Sequence, residues 1–134
     1  MEKLLIAEMP ITINAYDIDA MGIVSNIVYV RWFEDLRMKF LNEQLPLSEM
    51  MREQVSPILI KTEANYKAPL TIFDHPIGRC WLLNSGETRW EMEFEIITDN
   101  IIHCKGIQKG CFYDLSKKKV TRMPRKLWEY ISKI

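Results

Sequence analysis

Apolar and polar positions alternate over residues 9–15, with Met9, Ile11, Ile13 and Ala15 set against Pro10, Thr12 and Asn14. A period of two predicts a first strand with one buried face. It gives way to Tyr16-Asp17-Ile18-Asp19-Ala20-Met21-Gly22, a turn-like stretch rich in Asp and closed by Gly. From Asn26 to Gln44 the period changes. Tyr29, Phe33, Leu36 and Phe40 recur at three- and four-residue spacing, the repeat of one helix face. No Gly or Pro interrupts the run, and Pro46 follows it. Val28, Val30, Trp32 and Leu41 lie on other faces, so the helix should be largely enclosed by protein. Ser25 or Asn26 suits its N-cap. Residues 47–53 predict a short second helix capped by Ser48.

Four strand-like segments follow. Ile58, Ile60, Thr62, Ala64 and Tyr66 alternate with Leu59, Lys61, Glu63 and Asn65. Residues 77–83 form a less regular apolar run. In residues 89–97 the period is strict: Trp90, Met92, Phe94 and Ile96 oppose Arg89, Glu91, Glu93 and Glu95. The three glutamates predict a solvated face or a subunit interface facing basic residues. Asp99-Asn100 marks a tight turn. A long strand should run from Ile101 to Tyr113, with Gly106 and Gly110 as candidate bulges. After a turn at 115–119, Val120 and Met123 lead through Pro124 into a terminal helix over 125–133. Strand, long helix, then four strands in succession predict an antiparallel meander wrapped around one apolar helix. That is the α+β hot-dog fold. Its sheet edge offers unpaired backbone groups through which subunits join.

The 134 residues suit one domain, 1–134. Hydrophobic residues at 48% and charged ones at 27% are a globular balance and exclude a disordered chain. Lys+Arg and Asp+Glu are both 18, so net charge gives no general pull toward nucleic acid or an anionic membrane. The basic residues Lys117, Lys118, Lys119, Arg122, Arg125 and Lys126 nevertheless crowd one end, as a solvated turn or as a patch for a partner. The N-terminal apolar patch, broken by Glu8, is too short and acidic for a signal peptide. No window approaches the roughly 18 apolar residues of a membrane span. Cys80, Cys104 and Cys111 have no motif spacing, and free thiols in a reducing cytoplasm are the simplest reading. Two histidines and three scattered cysteines offer no metal spacing, so neither metal nor cofactor is expected. His103 and Cys104 are strand neighbours and point to opposite faces, which makes them a poor nucleophilic pair.

The chemistry is concentrated before the long helix. Asp19 stands seven residues ahead of Asn26, with Gly22 between them to let the backbone turn back. The first turn of a helix has N–H groups without internal partners, and the macrodipole adds partial positive charge there. Such an end can hold a carbonyl oxygen as it gains negative charge, worth roughly 3–4 kcal/mol for one good donor. Asp19 would supply the other half, attacking the carbonyl or deprotonating a water. A thiolate leaves easily, so a thioester needs no histidine to protonate the departing group.

The segment from Asp17 to Tyr29 resembles the active-site loop of the hydroxybenzoyl-CoA thioesterase group of hot-dog proteins, which includes small bacterial acyl-CoA thioesterases. The group's pattern is Asp-x-Asp-x-x-Gly-x-Val, a residue opening the helix, and a Tyr. Asp17, Asp19, Gly22, Val24, Asn26 and Tyr29 stand in that register. Tyr66-Lys67-Ala68-Pro69-Leu70 and Asp74 resemble the group's aromatic-x-x-Pro and Asp signature. The likeness runs from about Met9 to Pro124. It implies that Asp19 is the catalytic carboxylate, that the Asn26 backbone N–H polarises the thioester carbonyl, and that Gly22 lies against the thioester. Asp17 is then a support for the loop. Ser25, Tyr29 and Pro69 are the candidate substrate contacts. The chain departs from many relatives in having Ala20 or Met21 where they have Gly or Pro, and Asn26 where several have His or an aromatic. The implied reaction is hydrolysis of an acyl-CoA to free acid and CoA in a homodimer or homotetramer. Two alternatives stand beside it: an acyl-acyl-carrier-protein thioesterase, and a non-catalytic acyl-CoA-binding protein.

Overall fold

Strict alternation makes one strand the reference for the rest. In the computed structural model, which describes residues 3–132, Trp90, Met92, Phe94 and Ile96 are all buried on one face of β4 (Arg89–Thr98). The other face carries Glu91, Glu93 and Glu95. Glu91 and Glu95 register opposite Lys109 and Lys105 of β5 (Ile101–Asp114), and Lys3 bonds Glu93 at 2.9 Å. The glutamate face is thus neutralised within the chain.

The remaining elements are β1 (Leu4–Pro10), one 3-10 turn (Ala15–Asp17), α1 (Asn26–Gln44), α2 (Leu47–Glu53), β2 (Val55–Tyr66), β3 (Ile77–Ser85), β6 (Lys119–Thr121) and α3 (Arg125–Ser132). The sheet order is β1-β3-β4-β5-β2, with β6 beside β5 and every pairing antiparallel. β3, β4 and β5 form a meander, but β2 does not join it beside β3. It crosses over to the far edge and pairs with β5, which corrects the simple succession of neighbours that the element order suggested. The curved sheet wraps α1, whose Val28, Tyr29, Trp32, Phe33, Leu36, Phe40 and Leu41 fill the core. This is the hot-dog arrangement. Arg31, Glu34 and Asp35 form a solvated stripe along α1, so the helix is enclosed on three sides only. α3 closes one end of the core with Leu127, and residue 133, expected in that helix, lies outside the described residues.

Several boundaries differ from the sequence reading. The first strand is Leu4–Pro10 and not 9–15. Ile11 and Ile13 are buried as the alternation required, but the ladder to β3 ends at Pro10, and residues 11–14 run on extended without it. α2 is capped by Pro46 rather than Ser48, and Ser25 takes the N-cap position of α1 without a side-chain cap bond. β2 has an extra residue at Ile60, where Leu59 pairs with Gly110 and Lys61 with Lys109. The bulge puts Leu59, opposite Gly110, on the same side of the strand as Thr62, Ala64 and Tyr66, opposite Gln108, Gly106 and Cys104, so Ile58 does not share their side.

Gly106 and Gly110 are not bulges. A Cβ at Gly106 would overlap the Phe33 ring, and one at Gly110 would overlap Trp90, so each glycine admits an aromatic side chain against the sheet. No helix among the described residues is long and apolar enough to cross a membrane.

Candidate active site

The Asp17–Asn26 segment is a small hairpin that runs into α1. Ile18 and Val24 form an antiparallel bridge. On either side of it, Asp19 N–H donates to the Ile23 carbonyl at 2.8 Å, and Ser25 N–H donates to the Asp17 carbonyl at 2.9 Å. Val24 is buried and Ile18 packs against the core, so their neighbours Asp19 and Ile23 face outward. Gly22 N–H donates to the Asp19 carbonyl at 3.0 Å, which closes the turn. Gly22 itself has φ +81°, with nothing within 4 Å of where a Cβ would stand. It is required there for its left-handed backbone and not for space.

The Asp19 carboxylate is held by this turn. Its Oδ1 accepts the Met21 N–H at 2.8 Å and the Ile23 N–H at 3.4 Å. That is the local side-chain-to-backbone bonding that suits Asp to turns. The second oxygen, Oδ2, has no protein partner among the described residues. Asp17, two residues earlier, is 5% exposed, and its Oδ2 accepts the Asn14 N–H at 2.8 Å. The buried carboxylate closes the 3-10 turn. The exposed one is left facing solvent.

The start of α1 lies at the other end of the same hairpin. Val28 N–H donates to the Ser25 carbonyl at 3.0 Å. Among the described residues the Asn26 and Ile27 amides donate to no protein acceptor, so the positive end of a 19-residue helix is uncapped. The Tyr66 hydroxyl donates to the Asn26 carbonyl at 2.9 Å, and Val24 N–H donates to the Leu70 carbonyl at 2.9 Å. The signature Tyr66–Asp74 segment therefore holds the helix start in place.

Of the expected substrate contacts, Ser25 is half-buried at the N-cap and Pro69 is exposed beside Leu70. Tyr29 is buried, its ring edge-on to Trp32 at 5.2 Å and to Tyr66 at 5.5 Å. Burial, then the neighbouring Cys104 and Tyr66, push its hydroxyl up to about 12. Asp74 caps the Thr71–Asp74 turn through the Thr71 N–H at 2.7 Å, and that bond lowers its pKa.

In the single chain Asp19, Gly22 and Asn26 lie on open surface. A cavity of about 620 Å³ opens on the neighbouring side, lined by Met9, Ile11, Asp17, Val28, Trp32 and Asp35. It takes in Asp17 and none of those three. Bare apolar side chains stand in the Asp19 turn, at the start of α1 and in the Thr71–Asp74 turn: Met21 is 83% exposed, Ile27 65% and Phe73 84%. Cys80, Cys104 and Cys111 are free and buried, and burial raises the Cys80 and Cys104 thiols, Cys104 to about 12, which removes them as nucleophiles. Sequence reasoning missed the Tyr66–Asn26 bond and the buried His103 beside Ala68. The Tyr66-x-x-Pro69 spacing was a signal for the first. For His103 there was none.

A family model for the thioesterase-like superfamily matches residues 13–131. The chain belongs to the thioesterase-like superfamily. That membership supports thioester hydrolysis as the reaction class. Related proteins agree in fold and extent. A provisionally assigned esterase of Aquifex aeolicus (strain VF5) is 25% identical over 120 residues, 89% of this chain and 92% of that one. A gentisyl-coenzyme A thioesterase superposes with a TM-score of 0.80 at 23% identity, over 90% of this thioesterase-family chain and 98% of its own. A Staphylococcus aureus protein solved in complex with CoA gives a TM-score of 0.91 at 14% identity, covering 99% of this chain and 85% of that one.

Proposed function

We propose that this protein hydrolyses an acyl-CoA thioester, with the Asp19 carboxylate and the Asn26 backbone amide acting on the same carbonyl. The observation that carries the reading is the short ladder joining them. Asp17 to Ser25, Ile18 to Val24 and Asp19 to Ile23 tie the carboxylate turn to the uncapped first turn of α1. In that arrangement the amide stabilises the oxyanion while Asp19 acts from the other side of the carbonyl. As a base, Asp19 takes a proton from water, the hydroxide adds to the carbonyl, and collapse of the adduct expels the CoA thiolate. As a nucleophile, it displaces the thiolate first, and water then cleaves the mixed anhydride. Isotope incorporation into the carboxylate during a single turnover in labelled water separates the two routes.

Asp19 stands on open surface in one chain, so the reading includes a second copy that covers it. β2 is an edge strand with an unpaired backbone row, and it carries the exposed apolar side chains Leu59, Ile60 and Tyr66. An exposed apolar edge of this kind favours pairing with another strand. Two copies joined there form the cleft, as a dimer or within a tetramer.

The test is a panel of short, long and aromatic acyl-CoAs with release of free thiol as the readout. The parent protein should hydrolyse at least one class, and Asp19→Asn should lose that activity. Parent-level turnover by Asp19→Asn refutes the assignment, and tight acyl-CoA binding without turnover by the parent favours a binding protein. A carrier-protein thioester is the second reading, because Lys117, Lys118 and Lys119 have no carboxylate within ion-pair distance among the described residues, and an acidic carrier suits them. Rates on matched CoA and carrier-protein thioesters decide between the two.

A further inference from the structure

His103 is one of few buried polar residues, with 5% of its surface exposed. It stands where β5 has an extra residue relative to β4: Ile96 pairs with Cys104 and Ile97 with Ile102, leaving His103 out of the ladder. A bulge of this kind re-aims a side chain. Here it turns the ring toward the loop after β2. Nδ1 lies 3.1 Å from the Ala68 carbonyl and Nε2 lies 2.6 Å from the Thr98 hydroxyl. A carbonyl only accepts, so Nδ1 carries a proton, and in the neutral ring Nε2 accepts from Thr98. The His103 carbonyl also accepts the Lys67 and Ala68 N–H groups, at 2.8 and 3.3 Å. His103 therefore holds residues 67 and 68 through both its carbonyl and its ring.

The clasp leads to the hairpin. Ala68 is restricted to extended backbone by the proline after it, and Pro69 has a fixed φ, so the link to Leu70 is stiff. Leu70 is fully buried, and its carbonyl takes the Val24 N–H. Val24 sits between Ile23, which bonds Asp19, and Ser25, which stands at the N-cap position of α1. An apolar side chain could fill the His103 site without the cost of burying a polar ring. What the imidazole adds is a directed bond to Ala68. We propose that His103 is a positioning residue, which holds the Val24 strand through Ala68–Leu70 and so fixes the Asp19 carboxylate relative to the Asn26 amide. The catalytic half of this inference rests on the acyl-CoA hydrolase reading.

The test compares two substitutions. In His103→Asn the side-chain amide takes the place of Nδ1 and keeps a donor for Ala68. In His103→Gln it reaches toward Thr98 and leaves the Ala68 carbonyl without a donor. His103→Gln should speed hydrogen exchange at the Val24 amide about tenfold relative to Phe94, the scale of one lost buried hydrogen bond. It should also lower kcat for an acyl-CoA by about tenfold with KM within about twofold, the pattern of an interaction that matters in the transition state. His103→Asn should restore most of both. Parent-like Val24 exchange in His103→Gln overturns the proposal whatever the rates show. Parent activity in Asp19→Asn overturns the catalytic half separately, by discarding the reading on which it rests. Should His103→Gln fail to fold, Thr98→Val frees the Nε2 side of the ring and is expected to speed Val24 exchange in the same direction. No increase there also overturns the proposal.

Discussion

The Tyr66 hydroxyl donates to the Asn26 carbonyl at 2.9 Å, joining the last residue of β2 to the first residue of α1 across 40 positions of sequence. The contact fixes the helix start through its own backbone, next to the amide that points away from the helix. Tyr66→Phe keeps the edge-on ring contact with Tyr29 and removes only the O–H donor. Tyr66 is half in solvent, so water replaces part of the lost bond. We expect a stability loss of about 0.5–1 kcal/mol by denaturant titration, near the lower end for a hydrogen bond. Turnover of an acyl-CoA should fall more than stability does, by a few-fold, because the helix start loosens. Unchanged kcat in Tyr66→Phe would remove Tyr66 from the support of the site.

Asp19→Asn is the cleanest test of the carboxylate. The amide oxygen of Asn can still accept the Met21 N–H, so the turn survives. A positioned base or nucleophile is worth about 100-fold or more in rate. We expect a loss of that size in thiol release, with a melting temperature close to the parent's. A comparable loss of folding would show instead that the charge holds the turn together.

How far the sequence revealed this depended on whether the governing contact was local. β4 was readable because every second residue is buried, and α1 because an apolar face at helical spacing, unbroken by Gly or Pro, starts near a Ser and stops before Pro46. The Asp19–Gly22 turn was readable for the same reason, since its bonds span at most four residues. β1 was displaced in the reading. Alternation reports which face is buried, and Ile11 and Ile13 are buried past the end of the β1–β3 register at Pro10. In the true strand, the extra residue at Ile6 puts two consecutive buried positions together and erases the period. The bulges at Ile60 and His103 are likewise set by the partner strand. No local pattern announces that His103 meets Ala68, 35 residues away, or that Asp19 is bare in one chain.

Pairing at the β2 edge should be sensitive to charge. Ile60 is the bulged residue of that strand and is 61% exposed. Lysine on an edge strand blocks strand addition. The parent should sediment as a dimer or tetramer, and Ile60→Lys as a smaller species with depressed acyl-CoA turnover and an unchanged far-ultraviolet circular dichroism spectrum. A fully active monomeric Ile60→Lys would overturn the two-copy cleft.

Gly106→Ala tests how closely α1 packs on the sheet. The added methyl would overlap the Phe33 ring, which is fully buried and stacked on Phe94 at 4.8 Å. Neither ring has solvent to move into. Overpacking of a tight core costs about 1–3 kcal/mol, and the loss should appear as a lower denaturation midpoint with an unchanged slope. Phe33→Leu in the same chain should recover part of it by vacating the ring's volume. Parent stability in Gly106→Ala would mean that the sheet can back away from α1.

Tyr29 makes the protein's stability fall at alkaline pH. Burial first, and the nearby Cys104 and Tyr66 after it, hold its hydroxyl protonated up to about pH 12, against 10.0 for a free tyrosine. Between those values the unfolded chain releases the proton and the folded chain keeps it. The unfolded state then binds fewer protons, so stability decreases as pH rises. The Tyr29 contribution is complete below pH 10 and is lost through pH 12. Tyr29→Phe has no proton to lose, so its melting temperature should decline less steeply than the parent's across that window. Other alkaline groups titrate in both proteins and cancel in the difference. Parallel curves for the two proteins would place the Tyr29 hydroxyl in contact with water instead of in the core.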